Sequence, residues 1–537
     1  MEAEHGIMLL GDEAVALGAL HAGVSAAYAY PGTPSTEILE YLIRRAEEAE
    51  ITAHWCANEK TAYEQALGVS MMGRRVLVAM KHVGLNVAMD PFVNSALVGL
   101  GGGLVLAVAD DPGMHSSQNE QDSRILADFA RVPCLEPADQ QQAYDMTREA
   151  FDLSERFGLP VMVRLVTRLC HSRAVVAAGP ARPQNPPAKT DAPQDWTLLP
   201  HNARRLWRRL LDRLPAVREW AEESPHNALS AGDPHAPFAV ITSGIARHYF
   251  AGEAVGLGFR PPHLHVGAYP PPEGLIGRLA AGGRRLLVIE EGYPFLERQV
   301  RGVLPNAWEV TGRESGALPL DGELTPDLVR AALGLPARPH VGPAALSLPG
   351  RPPQLCRGCP HADSYEAVRA ALAGFPESVV TSDIGCYTLG ALPPYSAIES
   401  CVCMGASVGM AKGAADAGLR PVLAVIGDST FLHSGVTPLM DAVAASTPMT
   451  LLILDNGTVA MTGLQPTVLP GSRLEPLLLG VGVDREHLHV VDVVPRRTNE
   501  LAALLRAELE YPGVSVIVAV RECVELAKAG RREAKGQ

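Results

Sequence analysis

The sequence has few aromatic residues, few basic residues and no long uncharged apolar run. Aromatic side chains make up 5% of the 537 residues. The chain has 46 Lys and Arg residues and 59 Asp and Glu residues, which gives a formal net charge of -13. Affinity for nucleic-acid backbones comes from clustered Lys and Arg, so no nucleic-acid partner is expected. No stretch of about 18 apolar residues occurs, so we expect no membrane-spanning helix.

The N-terminus and the cysteines predict a reducing, cytoplasmic location. Residues 1–5 lack the basic start of a secretory signal, and the cysteines number nine. An odd number in a long chain favours thiols or metal ligands over a disulfide framework. A Walker-type phosphate loop and a dinucleotide fingerprint are also missing, because the glycines of 99–103 precede an apolar run instead of following one.

Two proline-rich stretches, at about residues 179–200 and 336–353, are predicted to be linkers between domains. Elsewhere, short apolar runs alternate with Ala-rich helical stretches. This alternation predicts an α/β protein whose parallel sheets are covered on both faces.

Polar residues follow two neighbouring apolar runs in the last third of the chain. The run 422–426 continues into Gly427, Asp428 and Ser429, and the run 451–454 continues into Asp455 and Asn456. A strand, a crossover helix and a parallel strand would place Asp428 and Asn456 at adjacent strand ends, where their oxygens could hold Mg²⁺. Two capped turns would explain the same residues, and the spacing alone leaves both interpretations open.

Several segments resemble the large (alpha) subunit of indolepyruvate:ferredoxin oxidoreductases, a family of thiamine-diphosphate-dependent 2-oxoacid oxidoreductases. They lie in the same order along nearly the whole chain, at residues 30–35, 109–122, 383–390, 427–435 and 454–463. The resemblance implies two doubly wound thiamine-diphosphate-binding domains flanking a transketolase C-terminal-like α/β domain. The expected divisions are a pyrimidine-binding-type domain at 1–178, a linker with a helix at 179–234, the transketolase-like domain at 235–335, a second linker at 336–353 and a diphosphate-binding domain at 354–530.

The resemblance also assigns residues to the cofactor. It implies that Asp428, Asn456 and the Thr458 carbonyl bind Mg²⁺. Further residues expected at the cofactor are Gly427, Ser429, Cys403, Met404 and Gly405.

Thiamine diphosphate becomes reactive when a carboxyl group hydrogen-bonds its aminopyrimidine ring. The family pattern assigns this role to Glu59, and Glu64 is the nearby competitor. Thr33 is expected to place its hydroxyl at the substrate or cofactor, although it could also cap a helix with Pro34 in the first turn. Lys81, His82 and His115 are weaker candidates.

Three cysteines match the positions that hold an iron–sulfur cluster in related 2-oxoacid oxidoreductases. These are Cys356, Cys359 and Cys386, and Cys523 is the expected fourth ligand of a 4Fe-4S cluster. Cys401 and Cys403 are alternative fourth ligands. Zinc would use the same Cys-x-x-Cys pair, and buried structural cysteines would explain the pattern without a metal.

The resemblance implies oxidative decarboxylation of an arylpyruvate-like 2-oxoacid, such as indolepyruvate, to an acyl-CoA through the thiamine diphosphate ylid. Coenzyme A is the expected co-substrate, and ferredoxin or another electron carrier and a smaller (beta) subunit are the expected partners. The family's C-terminal ferredoxin-like domain has no counterpart before Gln537, which leaves the electron acceptor open. A non-oxidative decarboxylase or carboligase and a non-catalytic assembly subunit are the alternatives. Glu290 and Glu291, in the middle segment, are expected to be structural.

Overall fold

The computed structural model describes residues 6–188, 192–281, 283, 285–304, 308–339 and 354–536, without the side chains of 533–536. The chain divides into two compact units, Met1–Gly342 and Pro343–Gln537. Two predictions fall partly outside the described residues. One is the second linker, of which residues 340–353 are not described, and the other is the missing secretory signal, which rests on residues 1–5. No described helix is long and apolar enough to cross a membrane.

Unit 1 contains two large sheets and their covering helices. Its strands are β1 Ile7–Leu10, β2 Ala26–Ala29, β3 Thr52–Trp55, β4 Val76–Lys81, β5 Leu104–Asp110, β6 Cys134–Leu135, β7 Val161–Val166, β8 Arg173–Val176, β9 Ala228–Ser230, β10 Phe238–Ser243, β11 His263–Val266, β12 Ala268–Tyr269, β13 Arg285–Ile289 and β14 Val310–Thr311. Its helices are α1 Gly11–His21, α2 Thr36–Ile43, α3 Glu59–Met71, α4 His82–Val87, α5 Met89–Ser95, α6 Ser123–Ala130, α7 Gln140–Phe157, α8 Thr167–His171, α9 Pro200–Glu223, α10 Ala246–Ala254, α11 Glu273–Ala280, α12 Phe295–Val303 and α13 Pro326–Ala332.

The first sheet of unit 1 has the strand order β12-β6-β7-β5-β4-β2-β3, and the second has the order β14-β13-β10-β11-β9. Strands β4 and β5 are parallel and buried along their whole length, as expected for apolar runs covered on both faces. Antiparallel pairing occurs at one edge of each sheet, where β12 joins β6 and β9 joins β11.

A buried network of charges joins residues at the strand ends of the two large sheets of unit 1. Arg164 pairs with Asp110 at 2.8 Å, and Arg124 donates to the Ser243 hydroxyl at 3.1 Å and to the Glu291 carbonyl at 3.0 Å. Glu290 accepts the backbone N–H groups of residues 296 and 297, at the start of α12. The Glu291 side chain accepts the backbone N–H of Leu324 at 3.0 Å, so both side chains make contacts that hold neighbouring backbone in place.

Unit 2 contains one five-stranded parallel sheet with the order β15-β16-β17-β21-β20 and a small hairpin formed by β18 and β19. Its strands are β15 Val379–Thr381, β16 Val422–Gly427, β17 Met449–Asp455, β18 Thr458–Val459, β19 Gln465–Pro466, β20 Leu488–Asp492 and β21 Val514–Val520. Its helices are α14 Pro360–Leu372, α15 Ala406–Asp416, α16 Asp428–Thr430, α17 Val436–Ala444, α18 Leu474–Gly480, α19 Thr498–Leu509 and α20 Val524–Gly536, with a π-helical turn at Phe431–Gly435.

Candidate active site

In unit 2, the polar residues that follow β16 and β17 lie at the same edge of the sheet. The two strands are parallel neighbours, with Gly427 opposite Leu454, and α17 forms the crossover between them. Asp428 therefore lies beside Asp455 and Asn456, and all three side chains are buried. Thr458 is also buried and begins the hairpin strand β18. The sheet topology thus brings together the three residues predicted to bind Mg²⁺.

The carboxyl groups of Asp428 and Asp455 form a buried pair. Burial, together with the negative charge of Asp455, raises the pKa of Asp428 to about 7. Burial also raises the pKa of Asp455. Among the described residues, no Lys or Arg forms an ion pair with either carboxylate. Buried carboxylates without a counter-charge are costly, and a hard divalent cation with oxygen ligands would compensate them.

The Asn456 side chain is held on both sides. Its Oδ1 accepts the backbone N–H of Thr458 at 3.2 Å, and its Nδ2 lies 3.3 Å from Nε2 of His361. Burial lowers the pKa of His361 to about 4, which keeps the imidazole neutral and able to accept from the amide. An amide oxygen has two lone pairs, so Oδ1 keeps one acceptor site for a cation. The sequence does not point to His361, because its contact with Asn456 joins residues 95 positions apart.

Asp383, which the sequence also left without a role, anchors the start of α15. Its Oδ2 accepts the backbone N–H of Ser407 at 3.1 Å and the Ser407 hydroxyl at 2.6 Å. The Tyr387 hydroxyl donates to Oδ1, and burial raises the pKa of Asp383 to about 6. Its position after β15, at the carboxyl edge of the sheet, is the signal that would have identified it.

The predicted segment 403–405 leads into α15. Gly405 has a φ of +85°, and a β-carbon there would lie 2.5 Å from Cβ of Ser434, in the π-helical turn after α16. A glycine is therefore required both by the backbone conformation and by the close approach. Gly427 likewise packs closely, since its β-carbon would lie 2.6 Å from the Tyr387 ring. Ser429 lies in α16, while Cys403 is exposed.

Four of the predicted cysteines lie near one another in unit 2. Burial, together with the charges of Cys359, Cys523 and Cys356, raises the pKa of the Cys386 thiol to about 12. The backbone N–H of Cys359 donates to the Cys356 carbonyl at 3.0 Å. The backbone N–H of Cys523 donates to the Asn456 carbonyl at 3.1 Å, which links this group to the end of β17.

The alternative fourth ligands, Cys401 and Cys403, lie apart from these four cysteines. Both thiols are exposed, and the charges that act on Cys401 after burial are those of Asp383 and Cys403. Within the part of the chain that the structure describes, Cys523 is thus the cysteine that accompanies the other three. Among the described residues, no three of these sulfur atoms lie within 4.8 Å of one another, so the grouping is wider than one zinc ion requires. Four thiolates are the ligands of a 4Fe-4S cluster.

In unit 1, Glu59 is the first residue of α3 and is only 5% exposed. Its side chain lies against Gly84 in α4, where a β-carbon would come within 2.4 Å of Glu59 Oε1. Glu64, the competitor in the sequence, is exposed and pairs with Lys60. Of the two carboxyl groups, only that of Glu59 is placed in the buried surroundings that the predicted role requires.

Thr33 and Lys81 lie in one hydrogen-bonded group in unit 1. Lys81 Nζ donates to the Ser116 carbonyl at 3.0 Å, and the Ser116 hydroxyl donates to the Thr33 carbonyl at 3.2 Å. Burial lowers the pKa of Lys81 to about 8, against the opposing effects of Asp111 and Glu59. Helix α2 begins only at Thr36, and Ser35 is its N-cap residue. Thr33 therefore does not cap α2, which was the alternative role predicted for it.

The two remaining histidine candidates of unit 1 differ in burial. His82 is fully buried and its Nε2 lies 3.2 Å from the Asn119 carbonyl, while burial lowers its pKa. His115 is half-exposed and lies 3.6 Å from a carboxylate oxygen of Glu323. Neither histidine has a contact that indicates a chemical role.

Two family models match separate parts of the chain. The model described as pyruvate flavodoxin/ferredoxin oxidoreductase, thiamine diphosphate-binding, matches residues 17–198. The model described as thiamine pyrophosphate enzyme, C-terminal TPP binding domain, matches residues 383–519. The first range contains Glu59 and Lys81, and the second contains Asp428 and Asn456.

Curated relatives align with nearly the whole chain. The indolepyruvate oxidoreductase subunit IorA of Archaeoglobus fulgidus is 38% identical over 98% of this chain and 88% of its own length. The protein of the same name from Methanothermobacter thermautotrophicus is 38% identical over 96% of this chain and 87% of its own length. The matches therefore include both groups of candidate residues.

Among solved structures, the 2-oxoglutarate:ferredoxin oxidoreductase from Magnetococcus marinus, with 2-oxoglutarate, coenzyme A and succinyl-CoA bound, has a similar fold. The TM-score is 0.51 and the sequence identity 17%, with 62% of this chain and 66% of that chain covered. At this identity the similarity concerns the fold alone.

Proposed function

Since this chain belongs to the family of indolepyruvate oxidoreductase subunit IorA, we propose that it is the catalytic subunit of a thiamine-diphosphate-dependent 2-oxoacid oxidoreductase that acts on an arylpyruvate. The reaction is the oxidative decarboxylation of the 2-oxoacid to an acyl-CoA. When bound, thiamine diphosphate supplies the electron sink that allows a 2-oxoacid to lose carbon dioxide.

One observation in unit 2 carries the cofactor assignment. Asp428 and Asp455 form a buried carboxyl pair without an ion-pair partner among the described residues, at the ends of two neighbouring parallel strands. This donor set suits Mg²⁺, with Asp428, the Asn456 side chain and the Thr458 carbonyl as protein ligands. The bound cation would in turn neutralise the diphosphate of the cofactor.

In unit 1, Glu59 is the carboxyl group that would hydrogen-bond the aminopyrimidine ring. Its burial against Gly84 supports this role, because a dry carboxyl group makes a stronger hydrogen bond than a solvated one. Lys81 would supply the positive charge that the carboxylate of a 2-oxoacid requires. Thr33, joined to Lys81 through Ser116, would add a hydroxyl contact to the substrate or cofactor.

In unit 2, Cys356, Cys359, Cys386 and Cys523 would hold a 4Fe-4S cluster that accepts the electrons of the reaction. Their mutual proximity supports a shared metal site, and a zinc ion bound by the same thiols is the alternative that metal analysis distinguishes. We propose that ferredoxin or a similar carrier receives the electrons and that a smaller subunit completes the enzyme. The domain divisions at residues 178, 234, 335 and 353 are part of the same proposal.

The cofactor assignment is tested by equilibrium binding of thiamine diphosphate in the presence of Mg²⁺. We expect Asp428→Asn to weaken binding by more than about 100-fold, because changes outside the direct ligands already cost about 10- to 100-fold. Asp441→Asn, on the exposed face of α17, is the matched control and should bind as the wild type does. Equal binding by the two variants would contradict the assignment.

The reaction is tested on protein purified without oxygen, with its candidate smaller subunit, coenzyme A and an electron-accepting dye. Indolepyruvate should give an acyl-CoA and reduced dye, and pyruvate should be a poor substrate. Release of an aldehyde without dye reduction would instead show a non-oxidative decarboxylase. A complex that binds thiamine diphosphate and turns over no 2-oxoacid would support an assembly subunit.

A further inference from the structure

We propose that unit 1 carries a binding site for a divalent transition metal, of the zinc class, formed by Asp12, Glu37 and His171. The proposed function does not use these residues. One ligand atom from each lies within 4.8 Å of those from the other two. A single ion could therefore contact all three side chains after small rotamer adjustments.

The three residues come from three different helices. Asp12 lies in the first turn of α1, Glu37 in the first turn of α2, and His171 at the end of α8. Nε2 of His171 lies 3.6 Å from a carboxylate oxygen of Glu37. The side chains of Glu37 and His171 are 34% and 36% exposed, so an ion can enter from solvent.

Asp12 provides the observation that points to a ligand. It is fully buried, with the Cys170 thiol and Glu37 beside it, and neither of its carboxylate oxygens forms a hydrogen bond of normal geometry among the described residues. Burial raises its pKa well above the usual range. A buried carboxyl group without a hydrogen bond is destabilising, and a cation held jointly with Glu37 and His171 would remove that cost.

The donor types select the class of metal. An imidazole nitrogen and two carboxylates suit zinc and related transition metals, whereas Mg²⁺ and Ca²⁺ prefer sites made of oxygen alone. The thiol of Cys170, the residue before His171, lies against Asp12 and affects its pKa.

Such an ion would hold α2 and α8 together, and both helices lie close to Thr33, in the loop between β2 and α2. Helix α2 follows that loop directly, and α8 begins at Thr167, whose hydroxyl donates to Asp111 at 2.7 Å. Asp111 also accepts the backbone N–H of Ser116, which contacts Thr33. The metal would therefore stabilise the positions of the residues around Thr33 without contacting the cofactor or the substrate.

The test is the zinc content of the full chain after incubation with zinc and removal of free metal, for the wild type, His171→Gln, Asp12→Asn and the control Glu40→Gln. Glu40 lies on α2, as Glu37 does, but outside the ligand group. We expect His171→Gln and Asp12→Asn to hold about one zinc less per chain than the wild type and the control. Zinc bound by the four cysteines of unit 2 would be the same in all four proteins, so the difference isolates this site.

Thermal unfolding gives a second readout. Added zinc should raise the midpoint of the wild type and of Glu40→Gln but not that of His171→Gln, because a ligand stabilises only the protein that binds it. His171 is partly exposed, so this variant is expected to fold even if Asp12→Asn does not. Equal zinc content in all proteins, or an Asp12→Asn variant that is more stable at unchanged zinc content, would overturn the proposal.

Discussion

The side chain of Glu59 occupies the space that a β-carbon on Gly84 would fill. Such a carbon would lie 2.4 Å from Oε1 and 2.7 Å from Cγ of Glu59. Real β-carbons do not approach other atoms this closely, so any larger residue at position 84 would displace the glutamate. The glycine thus fixes the position of the candidate catalytic carboxyl group from a neighbouring helix.

Gly84→Ala is therefore expected to impair turnover without abolishing cofactor binding. A displacement of about 1 Å at a reacting group can cost about 10²-fold in rate, and we expect kcat to fall by that order. Gly68→Ala is the matched control, because Gly68 lies in α3 with open space around its β-carbon position. The measurement is steady-state turnover of both variants, and equal rates would show that the contact with Gly84 does not position Glu59.

Glu59→Gln tests the carboxyl group itself. The amide has nearly the same shape but cannot act as an acid, so we expect turnover to fall about 10²- to 10⁴-fold, the range of general acid–base effects. Glu64→Gln removes an exposed carboxyl group on the same helix and should leave turnover unchanged. Thiamine diphosphate binding and thermal unfolding, measured in parallel, separate a chemical defect from a folding defect. Full activity of Glu59→Gln would remove this residue from the proposed mechanism.

The sequence predicted the sheets and the strand-end residues because these depend on local patterns. Fully buried parallel strands such as β16 and β17 appear as continuous apolar runs, and their order along the chain predicts that Asp428 and Asn456 are neighbours. The family pattern, rather than spacing, pointed to Glu59. Its burial against Gly84 depends on how α3 and α4 pack, which no local pattern contains.

The contacts that the sequence did not predict join residues far apart in the chain. His361 and Asn456 are separated by 95 positions, and the packing of α14 against the sheet brings them together. The family pattern favours Glu59 over Glu64, but nothing local in the sequence shows which of the two carboxyl groups is buried. The environment of each carboxyl group depends on tertiary packing, which distinguishes them.

The grouping of Cys523 with three other cysteines predicts which thiols hold a metal. We expect Cys523→Ser, in protein purified without oxygen, to lose most of its iron and acid-labile sulfide, because a 4Fe-4S cluster needs four thiolate ligands. Cys401→Ser and Cys403→Ser are the controls and should keep the wild-type iron content, since both thiols lie apart from that group. If a control lost iron while Cys523→Ser kept it, the fourth ligand would be the cysteine changed in that control and not Cys523. Zinc in place of iron in all of these proteins would exclude the cluster.

Lys81 predicts a pH dependence of substrate binding. Burial lowers its pKa to about 8, from about 10.4 for an exposed lysine, so the side chain loses its charge as the pH rises above 8. If the ammonium group binds the carboxylate of the 2-oxoacid, KM should rise above pH 8 while kcat changes less. Lys81→Arg keeps its charge at all these pH values, so its KM should not rise in that range, whatever its absolute affinity. Lys81→Gln should have a high KM throughout, and Lys60→Gln, which changes an exposed lysine, should behave as the wild type does. A rise of KM above pH 8 that persists unchanged in Lys81→Arg would assign the titration to another group.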